Sequence, residues 1–368
     1  MEATSHGPLD PLVAGRVRVV HLLQDIVASG LERMLYSSAK QWQEHQVSNV
    51  LVGQGPTMAY ESELRDVGYD VRTIAPIKTV QGAMDFVNLL RAVNPDVVHI
   101  QTEQAFIVTP GLVKLAAPRT KIVRTFHAVF DATGNWGRKR KTTARVTSPL
   151  VSAFTAVSPY VASTEQKFGR ECEIIANWVD PKYHLAARSK LPSQVAMALV
   201  GNCAGVKNHE VVLRSALEHQ IPLHHLGSEA SASQEELDLL TALDQAGLLL
   251  SRGVQDPLPV LREGPVYCLP SKDEGFSISL LEALAVGSFA IVTSSPSLDW
   301  ASEFPTVSRA DWTSHHDWSV QFENVVRARN EFGDEYSAAA QVLAVEKFSV
   351  EAGVQAYTTL YRRITGIC

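Results

Sequence analysis

The chain has 368 residues, 45% hydrophobic and 20% charged, with a formal net charge of -6 and a pI near 6.1. That length exceeds one ordinary core and makes two domains the default, while the acidic balance argues against a general nucleic-acid binder. The cysteines Cys172, Cys203, Cys268 and Cys368 show no C-x-x-C spacing, so buried or incidental thiols in a reducing cytoplasm are expected rather than a disulfide framework or a zinc site.

The opening residues 1–15, MEATSHGPLDPLVAG, lack the basic start and apolar core of a signal peptide and read as a loose tail. No run approaches the ~18 uncharged apolar residues that a membrane helix needs. A soluble cytoplasmic protein is expected, with peripheral contact to the inner face of the membrane left open.

From Val17 onward short β-branched runs alternate with helical stretches. VRVVHLL reads as the first strand. Residues 31–45 follow with helical spacing of Leu31, Leu35, Ala39 and Trp42. VSNVLVG, VRTIAP, DVVHIQ and KIVRTFH come next, with helical stretches near 82–93 and 107–117. Short apolar runs of this kind are what parallel strands covered on both faces look like.

A polar, proline-bearing stretch at 180–194 interrupts the rhythm. It restarts with AMALVGN, IPLHHLG, GLLLSRG, GPVYCLPS and SFAIVTS, again spaced by helices. The expectation is an α/β protein with two doubly wound halves, 16–180 and 181–347, facing a central cleft. A last helix at 348–368, with Val354, Tyr357, Leu360 and Tyr361 on one face, could dock on either half. Ligands in such sheets sit where strand carboxyl ends and helix N-termini converge.

The stretch DEGFSISLLEALAVGS at 273–288 puts glycine at 275 in a loop between a strand ending at Ser271 and a helix starting near Ser277. Exposed amides of residues 275–278 and the helix dipole would make an anion site. Alternatively, Asp273 and Glu274 cap the helix electrostatically. Ser279 and Glu282 share a polar face, which reads either as a solvent-facing stripe or as a carboxylate placed for a sugar diol. By itself Lys207 is a loop lysine before a helix, of the solvated kind, and His127 a polar residue at a strand end. The run GRKRKTTAR, with Arg138, Lys139, Arg140, Lys141 and Arg145, reads as a solvated helix start or as a patch that steers an anionic acceptor or touches anionic membrane.

Other chemistries lack their signatures. The first strand is not followed by G-x-G-x-x-G, which disfavours a nicotinamide dehydrogenase, and D-x-D and G-x-S-x-G do not occur. The pairs His224–His225 and His315–His316 have no third ligand nearby in sequence, so no metal site is expected.

DEGFSISLLEALAVGSFAIV resembles the E-x7-E signature of retaining glycosyltransferase family 4. The resemblance implies that Glu274 lies against the donor hexose and that Glu282 binds the ribose hydroxyls. It also implies that amides of Gly275, Phe276, Ser277 and Ile278 meet sugar and phosphate. ALVGNCAGVKNHEVVL is similar to the strand–loop–helix with G-R-x4-K, in the K-N-H form of exopolysaccharide-type members. Lys207 then matches the lysine on the leaving diphosphate, while Asn202 stands for the arginine. SGLERML resembles the G-G-x-E-R loop, where Gly30 lets backbone approach the diphosphate and Ser29 replaces the other glycine. His127 in RTFHAVF falls where members carry a histidine near donor sugar and acceptor. FTAVSPYVASTEQKFG and IIANWVD resemble the segments closing the first domain, with Trp178 in place of a glycine.

The resemblance implies a two-domain GT-B enzyme of carbohydrate biosynthesis, retaining, metal-independent and without a cofactor. It would move a hexose from a UDP-sugar, or a GDP- or ADP-sugar, to an unidentified hydroxyl-bearing acceptor such as a glycan, lipid carrier or natural product. Its rivals are a catalytically impaired relative that binds nucleotide-sugar or scaffolds a partner, and a phosphorylase or epimerase on the same fold.

Overall fold

The computed structural model describes residues 15–103, 107–129, 134–185 and 195–367. Most of the expected N-terminal tail and residues 186–194 of the expected linker lie outside them. Among the described residues the chain builds two all-parallel sheets. The first contains β1 (Val17–Leu23), β2 (Val47–Gly53), β3 (Asp70–Thr73), β4 (Val97–Ile100), β5 (Lys121–Phe126), β6 (Ala153–Ala156) and β7 (Cys172–Ile174). The second contains β8 (Met197–Val200), β9 (Leu223–Leu226), β10 (Leu249–Gly253), β11 (Val266–Leu269), β12 (Ala290–Thr293) and β13 (Val307–Ala310).

Strand orders are β3-β2-β1-β4-β5-β6-β7 and β10-β9-β8-β11-β12-β13. Both reverse direction of winding beside their own first strand, between β1 and β4 and between β8 and β11. That is the doubly wound arrangement, whose ligand crevice opens at the carboxyl ends of the strands at the reversal. The sequence pattern follows from this burial. In β1 Val17, Val19, Val20 and Leu22 are fully buried, and in β11 and β12 every residue is buried. Central parallel strands have helices on both faces, so they lose polar alternation.

The C-terminal helix Val350–Thr365 returns to the first half. Val350, Val354, Tyr357, Leu360 and Tyr361 join the core built by Val17, Val19, Leu35 and Trp42. Polar anchors fix its register: the Tyr361 hydroxyl lies 2.6 Å from His99 Nδ1 and the Tyr357 hydroxyl 3.0 Å from Thr125 Oγ1. Trp178 fills the space above Gly353. A side-chain carbon at Gly353 would lie 2.1 Å from the indole, and the Trp178 Nε1 donates to the Met34 carbonyl at 3.0 Å. The indole is thus accommodated by a glycine on the last helix.

Candidate functional site

The two reversal points bring together loops that are distant in sequence. After β8 the chain runs through Asn202 and Cys203 to Lys207, and then into helix His209–Glu218. After β11 it runs through residues 271–277 into helix Ile278–Val286. β8 and β11 are hydrogen-bonded neighbours, so Lys207 and Glu274 meet: Nζ lies 2.7 Å from Oε1. Lys207 is therefore paired rather than simply solvated. Asn208, held in the left-handed region at φ 55°, ties this loop down by donating its amide to the carbonyls of Pro270 and Trp312 at 3.3 and 2.9 Å.

Ser277 caps helix Ile278–Val286, its Oγ accepting from the Leu280 amide at 3.3 Å. Ser277 thus supplies the capping hydrogen bond, and the Glu274 carboxylate is turned to Lys207. The Phe276 ring is buried and stacks on Trp300 at 4.5 Å between centroids, which leaves its main chain for any ligand. Gly275 is where the halves touch. Ser158 Oγ donates to the Gly275 carbonyl at 2.8 Å, and a side-chain carbon at 275 would lie 1.8 Å from the His127 carbonyl oxygen. Only glycine permits that approach.

Glu282 corrects the reading of a solvent-facing stripe. It is 3% exposed and faces Arg33 of the first half, 3.5 Å away. Ser279 also turns inward, to the Tyr267 hydroxyl at 2.7 Å. Burial pushes the Glu282 carboxyl up to about 7, against the opposing pull of Arg33. The buried Tyr183 hydroxyl is a neighbour of this carboxylate and helps to hold its charge. Both line a cavity of about 220 Å³ with Arg33, Tyr60, Asp180 and Ile278.

The sign of the Glu282 shift gives a pH prediction. The ordinary value is 4.5 and the folded value about 7, so the folded chain holds this proton more tightly than the unfolded one. The group's stabilising contribution is present below about pH 4.5 and is lost as pH rises through about 7. Glu282→Gln is expected to be more stable than the parent at pH 8, by up to roughly 3 kcal/mol, and equal to it near pH 4. Denaturant titrations at the two pH values check this; an equal stability difference at both would contradict it.

His127 Nε2 lies 2.9 Å from Gln101 Oε1, and Gln101 Nε2 donates to His21 Nδ1 at 2.8 Å. Burial holds the His127 imidazolium pKa down at about 4, so at neutral pH this ring is uncharged. Gly30 opens helix Gly30–Glu44, and the space where its side chain would be is filled by Ile278 Cδ1, 2.8 Å from an added carbon. In this closed arrangement Gly30 serves the packing of the two halves. Asn202 is exposed and its Oδ1 accepts from the Ser228 amide at 2.9 Å; it braces a loop.

The basic run divides. Arg138, Lys139 and Lys141 are exposed on helix Gly134–Thr147. Arg140 is not part of that surface: its side chain is 10% exposed and pairs with Glu165 and, at 3.7 Å, with Glu103. A fully buried carboxylate at Glu165 requires a counter-charge, and Arg140 and Arg170 supply it.

Sequence reasoning passed over Arg33, Tyr183 and Ser158. Arg33 and Ser158 stand inside the quoted stretches SGLERML and FTAVSPYV, but their partners are on the other half. One histidine of the paired runs has neighbours that its sequence does not show. His225 meets Cys203 and His209, all three buried, across turns of chain that only the sheet brings together. Larger depressions of about 410 and 750 Å³ border the amino ends of β2 and of β4 and β5. They lie at the end of the sheet opposite the crevice.

The family description Glycosyltransferase Family 4 matches residues 28–183, and Glycosyl transferases group 1 matches residues 195–303. No curated protein sequence matches the chain. Among solved structures, a glycosyltransferase from Rickettsia africae is similar with TM-score 0.78 and 15% identity, over 95% of this chain and 98% of that one. HepE of Anabaena, solved with UDP and glucose, is similar with TM-score 0.76 and 14% identity, over 94% and 99%. Sucrose-phosphate synthase of Thermosynechococcus elongatus gives 0.73 and 12%, over 96% and 100%. At these identities the likeness establishes the shared GT-B fold. No helix among the described residues is long and apolar enough to cross a membrane.

Proposed function

Since this chain belongs to the GT-B glycosyltransferases, family 4 in its first half and group 1 in its second, we propose that it moves a hexose from a UDP-sugar to a hydroxyl-bearing acceptor with retention of configuration. The observation that carries this reading is the meeting of Lys207, Glu274 and the N-terminus of helix Ile278–Val286 at the sheet reversal. A diphosphate placed there meets an ammonium and a helix dipole, which favour the charge that grows as it leaves.

Glu282 is the ribose partner in this reading. Its carboxylate and the Tyr183 hydroxyl line one cavity, where a ribose diol would bond to both. HepE of Anabaena was solved with UDP and with UDP-glucose, which supports a uridine donor. A cavity of about 220 Å³ is smaller than the ~300 Å³ at which ligand pockets begin. The expectation in this reading is that the halves part for donor entry and close again.

In the reaction the bond between anomeric carbon and phosphate oxygen breaks and the acceptor oxygen bonds to the same face of that carbon. The acceptor proton passes to a donor phosphate oxygen. The Glu274 carboxylate is engaged by Lys207 at 2.7 Å, and the reading taken here is front-side attack rather than a covalent intermediate. Neutral His127, with Glu274, would hold hexose hydroxyls by hydrogen bonds. Lys207 and the helix dipole take the part a metal plays in D-x-D enzymes, so the transfer itself needs no metal. Arg138, Lys139 and Lys141 remain candidates for steering an anionic acceptor or touching anionic lipid. Asn202 leaves one expected cation absent, but Lys207 and Glu274 still meet at the reversal, which favours an active enzyme over a relative that only binds.

The test is transfer from UDP-hexoses to a panel of glycan, lipid-carrier and small hydroxyl acceptors, with the product's anomeric configuration read by NMR. Retention with a UDP donor is expected. An inverted product would overturn the mechanism.

A further inference from the structure

Cys203 follows β8, His209 opens the next helix, and His225 lies on β9. They are 1%, 3% and 0% exposed. The Cys203 sulfur is 3.3 Å from His225 Nε2 and 3.8 Å from His209 Nδ1, and the two nitrogens are 3.4 Å apart. A tetrahedral zinc ion, with sulfur at about 2.3 Å and nitrogen at about 2.0–2.1 Å, sets its ligand atoms about 3.5 Å apart for sulfur–nitrogen and about 3.4 Å for nitrogen–nitrogen. The triangle matches those edges.

Hydrogen bonding alone accounts for the cluster less well. One thiol and two imidazole nitrogens, in any tautomer, form at most two hydrogen bonds among themselves, yet three contacts are made. The outer nitrogen fits too. His225 Nδ1 is buried without a hydrogen-bond partner, and Glu229 Oε1 faces it at 3.9 Å. Glu229 is itself fixed by Arg252 through contacts of 2.8 and 2.7 Å. A carboxylate behind the second nitrogen of a ligating histidine is the usual outer support of a zinc site.

From this geometry we propose that Cys203, His209 and His225 bind one zinc ion, with the fourth position left for solvent. The ion would join both ends of the loop 203–209 to β9, and that loop carries Lys207. Its role is to position: it makes no contact with donor or acceptor. Only this last consequence rests on the glycosyltransferase reading, and the metal test below does not depend on it.

The test is metal analysis of the purified chain by plasma mass spectrometry, followed by cobalt titration of chelator-stripped protein. About one equivalent of zinc is expected, falling at least tenfold in Cys203→Ala. Cobalt should give the visible absorption of a tetrahedral thiolate complex, and zinc should slow alkylation of Cys203 in the parent at least tenfold. The cobalt and alkylation readings use the parent, so they stand even if the variant does not fold. Less than a tenth of an equivalent of any transition metal, with no tetrahedral cobalt spectrum and no protection of Cys203, would overturn the proposal. Loss of transfer activity with the zinc site intact would instead count against the functional reading.

Discussion

Lys207→Ala is expected to lower turnover by about 10²–10³-fold, the scale on which one preorganised charge stabiliser acts in acyl transfer. The loss should fall on kcat, because the diphosphate carries more charge as it departs than while it is attached. Lys207 is well placed for this: it is paired with Glu274 at 2.7 Å and its loop is tied to residues 270 and 312 through Asn208. Its ammonium therefore needs little reorganisation. Turnover measured at saturating donor checks the expectation, and an unchanged kcat would remove Lys207 from the chemistry.

Gly275→Ala is expected to cost about 10²-fold in turnover and to lower thermal stability as well, because a buried cluster spans the same joint. The added carbon would lie 1.8 Å from the His127 carbonyl oxygen, where real contacts essentially never fall below 3.0 Å. Relieving that contact takes a shift of about 1 Å at this joint. A displacement near 1 Å in a reacting pair is worth roughly 10² in rate. Two buried clusters lie within one half each, but the cluster holding Phe126, Leu280 and Leu281 spans the joint, so stability falls with turnover while each sheet stays folded. X-ray scattering with UDP-hexose should show the parent closed and the variant more open. Parent-like turnover, or identical profiles, would contradict the closure.

The sheets were legible because parallel strands buried on both faces leave uninterrupted apolar runs. VRVVHLL and VSNVLVG coincide with β1 and β2, and the helix read over 31–45 is Gly30–Glu44. The site was legible only within each half. Lys207 and Glu274 were read from separate stretches, and their pairing needed the β8–β11 adjacency. Arg33 was passed over because its partner Glu282 lies on the other half. Arg140 sits in a run of like charges, and nothing local distinguishes it from Arg138 or Lys139. Its inward turn is set by buried Glu165. The Cys203–His209–His225 cluster was hidden for the same reason: only the β8–β9 pairing and the start of the following helix make the three residues neighbours.

The most direct measurement is thermal stabilisation by UDP, GDP, ADP and NAD, each against its own ligand-free control, in the parent and in Glu282→Ala. A nucleotide at about 100 times its Kd adds about 2.7 kcal/mol, a shift that thermal melting resolves. The parent should be stabilised by UDP, with the effect lost in Glu282→Ala, as follows if the carboxylate holds the ribose. An equal UDP shift in both proteins would contradict the ribose assignment. No shift with any nucleoside diphosphate would contradict the donor site itself and favour a relative that scaffolds an active partner.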